Sequence, residues 1–142
     1  MHNAVIVDAV RTPLGRRNGK LKDWHPVDLA AEVLKSLQTR TGIDPAIVDD
    51  VVMGCVMQVG EQAFNVARNA VLAAGWDTSV PGTTIDRQCG SSQQAAHFAA
   101  QEHEMGLAVD GALIGDGGEG AELRVERSFS AAHHQVFGGA AV

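Results

Sequence analysis

The sequence contains only two cysteines, Cys55 and Cys89, and neither has a neighbour at the spacing that metal ligands require. Two scattered thiols also cannot form a disulfide framework. No apolar run approaches the length of a membrane span, and the short apolar run at the amino terminus is interrupted by Asp8, unlike that of a signal peptide. We therefore expect a cytoplasmic protein that binds no metal or other cofactor and does not contact a membrane.

Basic residues are also scarce, since the net charge is −6 at pH 7. A nucleic-acid-binding protein needs a basic face, so this function class is excluded. Five of the eleven lysines and arginines nevertheless lie in one stretch, namely Arg11, Arg16, Arg17, Lys20 and Lys22. This stretch could bind an anionic ligand, although a solvated loop is the commoner reason for such a cluster.

The remaining composition is that of one globular domain. The chain has 142 residues, of which 45% are hydrophobic and 20% charged, which is enough apolar material for a packed core. Only four prolines occur, but the 16 glycines indicate several tight turns between strands and helices.

Hydrophobic periodicity predicts alternating strands and helices. Strands are expected at 4–10, 50–57, 82–86 and 111–115, and helices from Pro26 to a left-handed cap at Gly42, at 65–74 and at 90–105. This alternation is typical of an α/β domain with a largely parallel sheet and helices on both faces. We expect the domain to occupy residues 1–115. Residues 116–142 lack a closing element and are interpreted as a divergent or truncated tail, so the domain looks incomplete.

The helix periodicity also predicts which side chains are buried. Val27, Ala30, Leu34 and Leu37 share one face of the first helix. On the helix at 90–105, we expect the apolar side to consist of Ala95, Phe98, Ala99 and Met105.

The most informative local feature surrounds Cys89, which lies where the strand at 82–86 turns into the following helix. Backbone N–H groups point out of a helix amino terminus and the helix dipole is positive there, so both stabilise a thiolate. Such cysteines become nucleophiles, but a cysteine is also a small apolar residue that often fills a core. The spacing alone leaves both interpretations of Cys89 open, whereas Cys55, inside an apolar strand, is predicted to be a core residue.

Several segments, taken together, resemble the thiolase family. Residues 86–95, DRQCGSSQQA, look like the segment that carries the acylated cysteine of thiolases. Four further segments resemble the family in the same order and at the same spacing: VDAVRTPLG at 7–15, GCV at 54–56, GEQ with NVAR between 60 and 68, and VPGTT at 80–84. The form CGSSQQ is similar to that of thiolases that act on fatty-acyl or steroid-derived CoA esters.

The resemblance implies a thiolase-like layered sheet and acyl transfer between CoA thioesters. Cys89 would accept the acyl group as a thioester, and its own backbone N–H would donate to the oxyanion. The reaction would be 3-oxoacyl-CoA thiolysis or acetyl-CoA condensation. Thiolases also form tight dimers, so we expect a homo-oligomer or pairing with another thiolase chain.

The family's catalytic histidines, second cysteine and most CoA contacts belong to parts of the subunit that this sequence does not contain. We weighed His25, His97, His103, His133 and His134 as substitutes, and none is favoured as the base. The glycines at 115–120 fit a dinucleotide fingerprint, but no Asp or Glu follows Glu126, so a nucleotide site is not expected. The alternative function is therefore a catalytically incomplete fragment that acts as an oligomerising or interaction module.

Overall fold

The fold is centred on a three-stranded parallel sheet. The structure, a computed structural model, describes residues 4–105 and three later strands. The sheet consists of β1 (Asp50–Gly54), β2 (Thr83–Ile85) and β3 (Ala112–Asp116), in the order β2-β1-β3. The helices are α1 (Pro26–Thr41), α2 (Val66–Ala73) and α3 (Ser91–Glu104), and two further short strands, β4 (Val125–Arg127) and β5 (His134–Val136), pair antiparallel.

Helix α1 begins and ends where the sequence predicts. His25 caps its amino terminus, because the imidazole Nδ1 accepts a hydrogen bond from the Val27 N–H at 3.3 Å. Pro26 occupies the first turn, where its missing N–H costs nothing. Gly42 ends the helix with φ at 69°, a left-handed conformation that glycine adopts without steric penalty.

The two faces of β1 are both covered, as the alternation predicted. Val51 and Met53 point into the main core, where α1 and α2 contribute most of the buried side chains. Val52 points to the other face and packs with Ala95 and Ala99 of α3. Because side chains alternate along a strand, this central strand is buried on both sides. The layered α/β architecture is therefore confirmed.

The predicted strand at 4–10 is wrong. Only Ile6 makes an isolated bridge, and the side chains of Ile6 and Val7 are exposed. An apolar run supplies side chains for burial but not a neighbouring strand to pair with, and a strand needs both. The segment is instead attached to α1 by an ion pair in which Arg40 donates two hydrogen bonds of 2.7 Å to Asp8.

Two further boundaries differ from the prediction. Strand β1 ends at Gly54 rather than at residue 57, and Val56 and Met57 beyond it are exposed. On α3 the small residues are buried as expected, whereas Phe98 and Met105 are 41% and 72% exposed. The buried residues of α3 recur at every fourth position and therefore form one narrow stripe along the helix.

The predicted tail at 116–142 lies almost wholly outside the described residues. Of this segment, the structure describes Asp116 and the backbone of the two short strands β4 and β5. Residues 117–120 of the glycine fingerprint lie outside the described residues, and so does His133. Within the part of the chain that is described, no helix is long and apolar enough to cross a membrane.

Candidate active site

Cys89 lies at the edge of the sheet where the parallel strands end. The Cys55 N–H, just after β1, donates to the Ile85 carbonyl at the end of β2 with a distance of 2.9 Å. This hydrogen bond joins the ends of β1 and β2 side by side. From Ile85 the chain continues through three residues to Cys89. The Cys89 side chain is exposed there. The carboxyl edge of a parallel sheet is the usual place for a ligand site in such folds.

The backbone before Cys89 is strained. Gln88 has φ at 48°, in the left-handed region that residues other than glycine rarely adopt. The Asp86 carboxylate holds this conformation by accepting a hydrogen bond of 2.8 Å from the Gln88 N–H. Strain of this kind persists where the surroundings fix it, and it is frequent at functional sites. Here it immediately precedes Cys89, which is exposed to solvent.

Ser91 fixes the same turn from the helix side. Its hydroxyl accepts from the Arg87 N–H at 2.9 Å and donates to the Gln88 carbonyl at 2.7 Å. Its backbone N–H donates to the same carbonyl at 3.1 Å. Ser91 is only 2% exposed, so the serine end of these bonds is shielded from water. The turn that carries Cys89 is therefore held by bonds on both sides of the cysteine.

The first turn of α3 lies directly against β1. A Cβ atom added at Gly54 would be 2.4 Å from the Ser92 backbone nitrogen and 2.5 Å from the Ser91 carbonyl carbon. No side chain fits in this space, so only glycine lets the helix approach so closely. Gly54 thereby sets the height of α3, and of the preceding Cys89 turn, above the edge of the sheet.

This arrangement gives Cys89 the surroundings of a nucleophile. The residue precedes Gly90, the N-cap of α3, and so lies at the positive end of a 14-residue helix. An exposed thiol in this position is accessible to an electrophile from the solvent side. Cys55 differs completely, because it is fully buried and its thiol donates to the Gln62 side-chain oxygen at 3.1 Å. The prediction that Cys55 is a core residue is confirmed.

Neither histidine of α3 lies beside Cys89. His25 caps α1, and His97 is exposed eight residues after Cys89, which corresponds to about 12 Å along a helix. His103 is buried and lies a further six residues along α3. His133 lies outside the described residues, and only the backbone of His134 is described. Among the residues described, no cluster of three or more His, Cys, Asp or Glu could hold a metal ion.

The basic stretch before α1 is an exposed loop. All five of its cations have exposed side chains, and Lys22 makes an ion pair of 3.7 Å with the neighbouring Asp23. Residues 13–16 and 18–21 of this loop line an open cavity of about 630 Å³. The structure therefore places the basic residues where a solvated loop would have them.

An apolar surface lies at the same edge of the sheet as Cys89. It consists of Val56, Met57, Val59 and Phe64, which follow β1 and are 39% to 89% exposed. The most exposed of them, Phe64, also has a left-handed backbone with φ at 61°. Exposed apolar side chains that form a contiguous patch mark a surface for interaction with another molecule.

Asn65 connects helix α2 to strand β2, which leads to Cys89, and the local sequence does not predict this connection. Asn65 caps α2 by accepting from the Arg68 N–H at 3.1 Å, and its side chain also contacts β2 through Thr84. Asparagine directly before a helix is a recognisable N-cap signal. Its second contact, to Thr84 nineteen residues later, could not be read from local sequence.

Comparison with known proteins gives consistent matches over this part of the chain. A family model described as the thiolase N-terminal domain matches residues 4–119. A steroid 3-ketoacyl-CoA thiolase of Mycobacterium tuberculosis is 56% identical over 108 residues, which are 76% of this chain and 26% of that protein. A 3-ketoacyl-CoA thiolase of Pseudoalteromonas translucida is 51% identical over 81% of this chain and 30% of its own length.

A solved structure agrees with these relatives. The crystal structure of the Bacillus anthracis acetyl-CoA acetyltransferase superposes with a TM-score of 0.72 at 45% identity, covering 77% of this chain and 27% of that one. The chain thus spans less than a third of the length of the relatives described here.

Proposed function

The chain belongs to the thiolase family, and we propose that it transfers acyl groups between CoA thioesters through an acyl-cysteine intermediate on Cys89. The observation that carries this proposal is the exposed thiol at the strained turn between β2 and the amino terminus of α3. The similarity to proteins named 3-ketoacyl-CoA thiolase supports a 3-oxoacyl-CoA as the substrate, with a fatty-acyl or steroid-derived acyl group.

The proposed reaction has two steps. The Cys89 thiolate attacks the 3-keto carbon of a 3-oxoacyl-CoA, the bond between C2 and C3 breaks, and the acetyl-CoA carbanion leaves and takes up a proton. The thiol of a second CoA then loses its proton, attacks the thioester on Cys89 and releases the shortened acyl-CoA. In the reverse direction, Cys89 carries an acetyl group that the carbanion of a second acetyl-CoA attacks.

Charge develops on an oxygen atom in both steps. We assign the backbone N–H of Cys89 as one donor to this oxyanion, because the groups around a helix amino terminus favour negative charge. The proton transfers need an acid and a base at the reacting carbon. His97 and His103 lie too far along α3 to act on the thiol. Among the described residues, we therefore assign the nucleophile and one oxyanion donor of this transfer, and we assign neither histidine of α3 as its base.

Acetyl-CoA should acetylate the folded chain once, at Cys89. The intact mass after acid quenching should rise by one acetyl group, and Cys89→Ser should show no thioester adduct. The chain unfolded in urea should remain unlabelled, because the turn that holds Cys89 and its backbone oxyanion donor in place is then lost. Equal labelling of Cys55, or of the unfolded chain, would contradict the proposal and indicate nonspecific thiol acetylation.

A second candidate function is that of an interaction module, which pairs with another copy of this chain or with another thiolase chain. It is favoured by the exposed apolar surface of Val56, Met57, Val59 and Phe64. We expect the chain to elute from gel filtration as a dimer or larger species, and Phe64→Ser with Met57→Ser to shift it towards the monomer. Leu14→Ser, a similarly exposed apolar site in the basic loop, serves as the control. A monomer at high concentration argues against this function.

A further inference from the structure

We propose that Asn65 and Thr84 are positioning residues that hold β2, and with it the Cys89 turn, against the amino terminus of α2. This inference rests on the proposed function of Cys89. It begins from β2, which has only three residues and which, among the strands that the structure describes, pairs with β1 alone. Thr83 is exposed, and Thr84 and Ile85 are only half-buried, so apolar packing alone anchors this strand poorly.

A hydrogen-bond network supplies the missing attachment. The Thr84 hydroxyl donates to the Asn65 side-chain oxygen at 2.7 Å and accepts from the Ala67 N–H at 3.1 Å. The Asn65 amide nitrogen donates to the Gly82 carbonyl at 2.5 Å. The Asn65 oxygen also accepts from the Arg68 N–H, so one side chain caps α2 and binds the strand. A network that satisfies helix-terminal donors fixes both partners more rigidly than separate bonds would.

The backbone geometry shows that this attachment is close. A Cβ atom at Gly82 would be 2.6 Å from the Arg68 backbone nitrogen, so the chain entering β2 touches the first turn of α2. The Arg68 guanidinium donates to the carbonyl oxygens of Val80 and Thr78, the latter at 2.8 Å. The segment before β2 is therefore held along its length. Since only Asp86, Arg87 and Gln88 separate β2 from Cys89, a shift of the strand moves the nucleophile.

Thr84→Val should loosen the Cys89 turn while the chain stays folded. Valine keeps the shape but loses both hydroxyl bonds, so deuterium exchange of the amides at 86–91 should accelerate about tenfold, with exchange in α1 unchanged. Acetylation of Cys89 by acetyl-CoA should also slow about tenfold, because the oxyanion donor moves, whereas alkylation by iodoacetamide should not slow. Thr84→Ser, which retains the hydroxyl, should restore both properties.

Thr83→Val is the matched control. Thr83 is the preceding residue on the same strand, and its hydroxyl donates to Asp50 at 3.0 Å rather than to α2. Burial raises the pKa of the Asp50 carboxyl, and the hydrogen bond from Thr83 acts in the opposite direction. The control variant therefore also removes a side-chain hydrogen bond of β2. If Thr83→Val accelerates exchange at 86–91 as much as Thr84→Val does, or if exchange in α1 rises equally, the positioning role is refuted.

Two further outcomes are also decisive. If Thr84→Val fails to fold, Asn65→Asp replaces it, because aspartate keeps the helix cap but cannot donate to Gly82. This variant should then accelerate exchange at 86–91 selectively, and an unchanged rate overturns the inference. If the unmodified chain is not acetylated at all, the proposed function fails, while the exchange and alkylation measurements still decide the positioning role.

Discussion

Gly54→Ala should destabilise the chain by about 3 kcal/mol, the upper part of the range for forcing extra atoms into a packed interior. The added methyl group would lie 2.4 Å from the Ser92 nitrogen and 2.5 Å from the Ser91 carbonyl carbon, and both obstacles are backbone atoms. A flexible side chain could move aside, but here the whole of α3 must shift. The free energy of unfolding from urea titration, followed by circular dichroism, measures the effect.

The same substitution should also impair the site. When α3 moves away from β1, the Cys89 turn moves with its helix, so acetylation should be lost even at temperatures where the variant remains folded. Gly90→Ala is the control beside the cysteine, because a Cβ there would meet the Arg87 carbonyl oxygen at 3.4 Å, an ordinary contact. If Gly54→Ala and Gly90→Ala unfold at the same urea concentration, the close approach of α3 to β1 does not contribute to the stability of the chain as expected.

The fold was predictable wherever local chemistry decides an element. Pro26 and Gly42 bound α1 because each suits one helix end, and Gly75, with φ at 79°, likewise follows α2. The predicted strand at 4–10 failed for the opposite reason. Its β-branched residues are typical of a buried strand. A strand forms, however, only beside another strand with which it can pair, and local sequence does not specify that strand.

The site could be predicted only in part. The position of Cys89 between a strand and a helix follows from hydrophobic periodicity, and the likeness of residues 86–95 to thiolases singles it out. The left-handed Gln88 and the contact of Gly54 with α3 did not follow, because both depend on how distant elements pack. The contact of Asn65 with Thr84 joins residues nineteen positions apart, and a helix cap alone does not indicate which strand it will touch.

Iodoacetamide should alkylate Cys89 on the order of 10³ times faster than Cys55 in the folded chain, because a buried thiol reacts only through rare opening of the structure. Cys55 is fully buried, its thiol donates to Gln62, and its N–H joins β1 to the end of β2. Cys89 is exposed and directly follows the left-handed residue Gln88. Peptide mapping over a time course gives the two rates separately.

The denatured chain provides the reference for this ratio. In urea both thiols should react within about a factor of three of each other, since neither retains its surroundings and free cysteines have similar intrinsic reactivity. Similar rates in the folded chain would mean that the edge joining β1 to β2 opens readily. In that case the turn could not hold Cys89 in a fixed place, and the proposed acyl transfer would lose its structural basis. A large ratio instead identifies one accessible nucleophile, which is what an acyl-cysteine mechanism requires.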